Sequence, residues 1–297
     1  MVWNKGMYLA PQHLQQTDRS SAARLAFWME ASPLPAWGFL DLTIDEEALA
    51  AGSFAINAAQ GIFRDGSIFS IPESDPVPRV LALEEWFSPT QDSLEIQIGV
   101  SRDTRGGAAG GRYVMEAAPL ADEGTGEEIP VFLAAVNIRV MAKPEANPLD
   151  ETLDCARVIR GEAGVFRLDA TFAPPCLQMA GSATLVRTLR SVVKLLASTR
   201  GGLLRNSGAS AGAEQLRRDL LLRDLNSELA ALLHMFHSGR DHPETVYRSL
   251  VQTAATLSLG SPTFDPSAIP EYDHAHPGES LRWLAETIRQ LAAGLTA

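Results

Sequence analysis

The sequence FAPPCL at Phe172–Leu177 separates two parts of the chain that differ in hydrophobic pattern. Before it, short apolar runs alternate with turn signals, which is typical of β-strands. After it, apolar residues recur every three or four positions, the spacing of helices that bury one face. A chain of 297 residues is long enough for two domains. We therefore predict one domain over residues 1–175 and a second over 176–297.

The first part predicts an antiparallel β-sandwich. GIFRDGSIFSIP at Gly61–Pro72 places Asp65-Gly66 between two apolar stretches, which is a strong hairpin signal. SLEIQIGV at Ser93–Val100 alternates apolar and polar residues, as a half-buried strand does. Because no long helix is expected between the strands, a sandwich is favoured. One short helix is expected at Arg19–Ala31, and further strands at Phe39–Ile44, Ser53–Asn57, Arg112–Ala117, Val131–Met141 and Gly164–Phe172.

The second part predicts a helical bundle. Four segments each carry apolar residues at alternating spacings of three and four, which places them on one stripe of a helix. Four such helices joined by polar or proline-rich segments indicate a bundle. The fold class is thus α+β, a β-sandwich followed by helices. The stripes are Leu185, Leu189, Val192 and Leu196; Leu222, Leu225, Leu229, Leu232 and Phe236; Val246, Leu250, Thr253 and Leu257; and Leu281, Leu284, Ile288, Leu291 and Leu295.

Charge and composition restrict the class of protein. The formal net charge is −11 and the pI is about 5.0, which disfavours a nucleic-acid binder. Two cysteines, Cys155 and Cys176, form neither a CxxC motif nor a disulfide framework, so a reducing compartment is expected. No apolar run approaches the ~18 residues of a spanning helix, and no secretory signal is visible. We expect a cytoplasmic protein without direct membrane insertion.

One basic cluster runs against the acidic balance of the chain. Such a charge run is most often a solvated helix face, which is the interpretation favoured here. The cluster consists of Arg187, Arg190, Lys194, Arg200, Arg205, Arg217, Arg218 and Arg223.

Motifs for catalysis or metal binding are weak. GASAG at Gly208–Gly212 matches G-x-S-x-G, but no apolar strand precedes Ser210, as the hydrolase elbow requires. The histidines fall in two groups, His234, His237 and His242, and His274 and His276, for which packing or capping is favoured over zinc. No catalytic residue, cofactor site or metal site is expected.

The opening segment Trp3–Gln16, WNKGMYLAPQHLQQ, resembles the N-terminal signature of the TssK family (ImpJ/VasE), baseplate subunits of the type VI secretion system. Leu14 departs from the family pattern, in which an aromatic residue is common. Further resemblance lies in GIFRDGSIFSIP, in FAPPCL, in HPETVYRSL at His242–Leu250 and in YDHAHP at Tyr272–Pro277. The matching positions of the opening segment are Trp3, Gly6, Met7, Tyr8, Leu9, Pro11, Gln12, His13, Gln15 and Gln16.

The resemblance implies a trimeric structural adaptor and no enzyme. Members of the family have a β-sandwich shoulder, like that of phage receptor-binding proteins, then a helical neck and a C-terminal head. The shoulder joins the wedge proteins TssF and TssG, and the head contacts TssL and TssM of the membrane complex. The chain ends near the fourth helix stripe. The head is therefore expected to be missing, through truncation or proteolysis. Contacts with TssL and TssM are expected only through that missing head.

Two sets of site residues follow from the resemblance. The opening segment is expected to bind the wedge, because aromatic and methionine side chains are enriched in interface cores. The alternative is that it packs onto its own sandwich. Residues expected at the wedge are Trp3, Gly6, Met7, Tyr8, Leu9, Pro11, Gln12, His13 and Gln15, and those expected in neck packing and the trimer are Leu185, Leu189, Val192, Leu196, Leu222, Leu225, Leu229, Leu232, Leu284 and Ile288.

Two other functions stay open at this stage. A serine hydrolase using Ser210 would need a strand before Gly208 and a histidine within reach of the serine. A phage-like receptor- or carbohydrate-binding sandwich would need an exposed aromatic platform in a cleft. The adaptor needs a trimer, so the oligomeric state distinguishes it from both.

Overall fold

A computed structural model of the chain describes residues 4–88, 90–102, 111–145, 147, 150–161, 164–205, 212–259 and 264–296. These residues form eleven strands and six α-helices. The strands are β1 Gly38–Ile44, β2 Ser53–Phe54, β3 Ile56–Ile62, β4 Ile68–Ile71, β5 Leu81–Ala82, β6 Ser93–Ser101, β7 Tyr113–Ala121, β8 Glu128–Val136, β9 Arg139–Ala142, β10 Asp150–Arg160 and β11 Phe166–Leu168. The helices are α1 Pro11–Glu30, α2 Glu46–Ala50, α3 Ala183–Arg205, α4 Ala213–Ser238, α5 Pro243–Ser258 and α6 Pro277–Thr296.

Two antiparallel sheets share one hydrophobic core in the first part of the chain. One sheet has the order β1-β3-β4 and the other β11-β10-β6-β9. Phe39 and Phe69 from the first sheet and Ile96 and Leu153 from the second are buried in the same cluster. The predicted β-sandwich is confirmed.

The β3–β4 hairpin forms at the predicted Asp-Gly turn. Gly66 has a φ of +87°, a conformation that glycine adopts without steric cost. The Phe63 N–H donates to the carbonyl of Ser67 at 2.9 Å, and the Ser67 N–H donates to the Asp65 carboxylate at 3.0 Å. The local turn chemistry therefore sets the register of this hairpin.

Several strands differ from the predictions. The central strand β10 was not predicted, because a bulge between Asp154 and Ala156 breaks its alternation. The expected strand Val131–Met141 is two strands, since Asn137 turns the chain from β8 to β9, its side chain donating to Gly111 O at 2.9 Å. The expected strand Gly164–Phe172 shortens to β11.

Helix α1 begins at Pro11 rather than at Arg19. Proline is favourable at the first helical position, because its missing N–H would have no partner there. The His13 Nδ1 atom accepts the Ala10 N–H at 3.0 Å, which satisfies a donor at this end of the helix. The last six residues of the opening segment are therefore helical, although no helix was predicted before Arg19.

The predicted bundle is confirmed by helices α3 to α6. Helix α3 packs against α4 and α6, and α5 packs against the same two helices. Their apolar stripes meet in a second hydrophobic core, separate from that of the sheets. Every helix among the described residues is too short or too polar to span a membrane.

The FAPPCL segment passes directly beside strand β1. The Phe39 N–H donates to Pro175 O and the Leu177 N–H donates to Phe39 O, each at 2.8 Å. Gly38 has a φ of +118°, and a Cβ atom there would lie 2.6 Å from Pro175 O. The two parts of the chain therefore touch at this crossing. The domain boundary at residue 175 stays a prediction.

Candidate interaction sites

The arm, residues 4–10, presents apolar side chains to solvent. Tyr8 is 86% exposed and Leu9 is 55% exposed, whereas Met7 is half-buried. Gly6 is also exposed, with a φ of +83°. Trp3 lies outside the described residues. The arm therefore offers contact area that its own sandwich does not cover.

Helix α1 continues this exposed surface. It has no buried residue over its length. Leu14, Leu25 and Trp28 lie on one face at 100° per residue, and Trp28 is 75% exposed. Large apolar side chains on a free helix face mark a surface that a partner covers. Of the remaining predicted wedge residues, Pro11, Gln12 and Gln15 are exposed and His13 is half-buried.

The sequence prediction missed Leu25, Phe27 and Trp28 as candidates for contact. Phe27 is 68% exposed, although aromatic side chains in helices usually face a core. The only sequence signal was the set of large apolar residues in a helix without a continuous stripe. The C-terminal end of α1 meets the rest of the chain at a cleft that Met29 shares with Trp37 and Arg64.

The residues predicted for neck packing lie in the bundle core of the single chain. Leu222 and Leu229 are partly buried against that core. Packing inside the chain accounts for their burial, so their predicted contact with other copies stays a prediction. The eight buried residues are Leu185, Leu189, Val192, Leu196, Leu225, Leu232, Leu284 and Ile288.

Two histidines join the helical part to the residues that precede β1. His274 Nε2 lies 2.8 Å from Trp37 O, and His242 Nε2 lies 3.1 Å from Pro35 O. The two imidazole rings stack with centroids 5.0 Å apart. We call this cluster, completed by Tyr272, the junction. Its histidines have the packing and capping roles that were expected for them.

The junction holds both histidines in their neutral form. Burial lowers the pKa of His274 to about 4, and it lowers the pKa of His242 as well. His242 Nδ1 accepts the Glu244 N–H at 3.1 Å, and His274 Nδ1 lies 3.0 Å from the Tyr272 hydroxyl. The neutral ring in each case donates from Nε2 to the backbone carbonyl. Every ring nitrogen of the two junction histidines therefore has a hydrogen-bond partner, and two of these bonds join the two parts of the chain.

The structure offers little support for the alternative functions. Ser210 lies outside the described residues, and it is flanked by helices α3 and α4 rather than by a strand and a helix. The guanidinium of Arg64 covers one ring face of Trp37 at 4.1 Å, so that face of this aromatic residue in a cleft is closed to a sugar. Cys155 and Cys176 are free, and burial raises the pKa of both thiols. In the part of the chain that is described, no group of three His, Cys, Asp or Glu residues is arranged to hold a metal ion.

Comparisons with known proteins agree on one family. The family described as bacterial type VI secretion, VC_A0110, EvfL, ImpJ and VasE, matches residues 13–296. The chain is 29% identical over 309 residues to TssK1, a type VI secretion system baseplate component of Pseudomonas aeruginosa. That match covers 99% of this chain and 68% of the relative.

Solved structures share the fold. A chain in the cryo-electron microscopy structure of the TssK-TssF-TssG baseplate subcomplex matches with a TM-score of 0.86 and 22% identity, over 99% of this chain and 98% of that one. The crystal structure of TssK matches with a TM-score of 0.86 and 24% identity, over 98% of this chain and 68% of that one.

Proposed function

Because the chain belongs to the TssK (ImpJ/VasE) family of bacterial type VI secretion proteins, we propose that it is a structural component of the secretion baseplate. Its Pseudomonas relative TssK1 is a baseplate component. In this role the chain acts through binding surfaces and performs no catalysis. The proposed assembly contains three copies and lies on the cytoplasmic side of the membrane. No described surface is assigned to TssL or TssM.

The partner proposed for the arm and α1 is the TssF–TssG wedge. The observation that carries this proposal is a helix of 20 residues without a single buried side chain. An unpacked helix of this length is marginally stable in water, since most helical stability comes from packing of an apolar face. A partner that covers Leu25 and Trp28 would supply that packing. Exposed aromatic side chains are also the usual anchors of protein interfaces.

Replacing both Leu25 and Trp28 with Ser is expected to weaken binding to TssF–TssG at least about tenfold. Each fully buried apolar side chain contributes roughly 1.5–3 kcal/mol to the contact. The fold should be unchanged, because both side chains are exposed in the free chain. Pull-down with co-expressed TssF and TssG measures the binding, and circular dichroism checks the fold.

A matched control replaces Leu216 and Leu220 of α4, which are 62% and 42% exposed, with Ser. This variant should bind the wedge like the unchanged protein, because the leucines lie in the helical part.

A companion variant, Met7→Ser with Leu9→Ser, tests the arm. Unchanged wedge binding by both the α1 variant and the arm variant would contradict the proposed site. The arm and α1 would then be restricted to contacts within the chain.

A further inference from the structure

Strands β7 and β8 form a ribbon that stands apart from the sandwich. They pair from Tyr113 opposite Val136 to Ala121 opposite Glu128, and in the described residues neither strand joins another sheet. An isolated two-stranded ribbon is marginally stable in water. This ribbon is therefore expected to gain stability from a surface outside its own chain.

Both faces of the ribbon are apolar. Alternation along the strands places Met115 and Phe132 on one face and Leu120 and Ile129 on the other. Met115 is 65% exposed, Phe132 76% and Ile129 56%. A strand pair with one solvated face would alternate with polar residues, whereas apolar residues on both faces are typical of strands covered on both sides.

The base of the ribbon is held firmly to the sandwich. Arg112 is buried and donates to the Asp65 carboxylate at 2.5 Å and to Ser101 O at 3.1 Å. The Val136 N–H donates to the Asp75 carboxylate at 2.7 Å. Because its base is fixed by buried charged contacts, the ribbon is a built projection of the fold and not a loose loop.

The tip of the ribbon is acidic. It carries Asp122, Glu123, Glu127 and Glu128, and no Lys or Arg occurs between residues 113 and 136. Asp122 accepts two N–H groups of its own turn, at 2.9 and 2.7 Å. The three glutamates are exposed, and none forms an ion pair with the described residues. The tip therefore has negative charge available for a basic surface.

Helix α3 of the same chain provides such a surface. It contains four Arg, one Lys and no acidic residue, in a chain with a net charge of −11. Arg187, Arg190 and Lys194 are exposed, and their spacings of three and four place them on one face. Among the described residues none of the three has an acidic partner.

An apolar groove adjoins this cationic face. The groove has a volume of about 550 Å³ and lies between the edges of β1 and β11 and the start of α3, with Arg187 in its lining. Leu42, Ile44 and Phe166 supply apolar lining, and the charged lining besides Arg187 consists of Glu46, Arg157, Arg167 and Asp169. The chain thus carries a groove for apolar side chains next to a surface for acidic ones.

We propose that the β7–β8 ribbon of one copy docks on the α3 face and the adjoining groove of a second copy. The tip glutamates pair with Arg187, Arg190 and Lys194, and apolar ribbon side chains enter the groove. The inference rests on the proposed trimer, in which a contact between two unlike surfaces of neighbouring copies closes a ring. Contact between two ribbon tips is disfavoured, because both are acidic.

A charge-swap experiment tests this contact by light scattering on size-exclusion chromatography. Glu127→Lys with Glu128→Lys should convert trimers to monomers at concentrations where the unchanged chain stays assembled. Arg187→Glu with Lys194→Glu should do the same, since like charges then oppose each other. The protein that carries all four changes should recover the trimer. The control Glu84→Lys with Glu85→Lys reverses an exposed acidic pair elsewhere and should remain trimeric.

The outcomes separate the docking surface from the trimer itself. The ribbon contact alone would be overturned if the trimer persisted after the charge of the tip was reversed. It would also be overturned if the protein with all four changes formed no more trimer than either double variant. If the variant Glu127→Lys with Glu128→Lys stayed trimeric but lost binding to TssF–TssG, the ribbon contact would be overturned too, because the ribbon would then bind the wedge. An unchanged chain that is monomeric at every concentration would overturn both proposals.

Discussion

Replacing Leu225 with Asp is expected to lower the free energy of unfolding by about 4 kcal/mol or more. Leu225 is fully buried in the core that α4 shares with its neighbouring helices. Its loss removes apolar packing worth ~2–5 kcal/mol, and the new carboxylate has no partner there. A domain with a typical stability of roughly 5–15 kcal/mol would lose much of it. Denaturant unfolding followed by far-UV circular dichroism measures the change.

Leu216 supplies the matched control for this substitution. It lies on the same helix but is 62% exposed, so Leu216→Asp should change stability by no more than about 0.5 kcal/mol. Equal stability of the two aspartate variants would show that the stripe of α4 does not face the bundle core.

Acidification from pH 6.5 to pH 4 is expected to destabilise the chain through His274. The pKa of its side chain is about 4 in the folded chain, against 6.5 as its ordinary value. Below pH 6.5 the unfolded chain takes up a proton that the folded chain does not, so stability falls as the pH falls. The loss reaches roughly 3 kcal/mol near pH 4, and above pH 6.5 there is no loss. His242 acts in the same direction, because burial lowers its pKa too.

The variant His274→Gln isolates this contribution. Its stability at pH 7 should be lower, because the stacked ring is gone, but its dependence on pH between 6.5 and 4 should be weaker. Carboxylates such as Asp65 and Asp169, whose pKa values are lowered by hydrogen bonds, titrate in both proteins and cancel in the comparison. Parallel pH profiles for the two proteins would contradict the role assigned to the junction histidine.

Elements whose signal is local were predictable from the sequence. The Asp65-Gly66 hairpin needs only a turn that tolerates a positive φ and two flanking apolar runs. The helix stripes are as local, because burial of one face imposes a spacing of three and four. Leu189 and Ile288 are therefore buried where their periodicity placed them.

Elements that depend on distant partners were not predictable. Strand β10 contains charged residues whose partners lie on neighbouring strands, such as Arg157 with Glu95 at 2.9 Å. Without the sheet, these charges resemble a loop. The apolar β7–β8 ribbon looked like an ordinary pair of sandwich strands, and only the structure shows that both of its faces are exposed.

The candidate sites were predictable only in outline. The opening segment was chosen for its resemblance to a family, and its exposed Tyr8 and Leu9 fit a contact surface. The exposed face of α1 was missed, because exposure cannot be read from a helix that lacks a stripe. The junction was missed as a site because Trp37 and His274 are far apart in sequence, and only tertiary packing brings them together.

We propose that this chain assembles as a trimer with TssF and TssG. The most direct measurement is the mass and stoichiometry of the complex that co-purifies from co-expression of the three proteins, by size-exclusion chromatography with light scattering. We expect one stable species with three copies of this chain bound to TssF and TssG. Separate elution of the chain as a monomer, with TssF and TssG in other fractions, would contradict it.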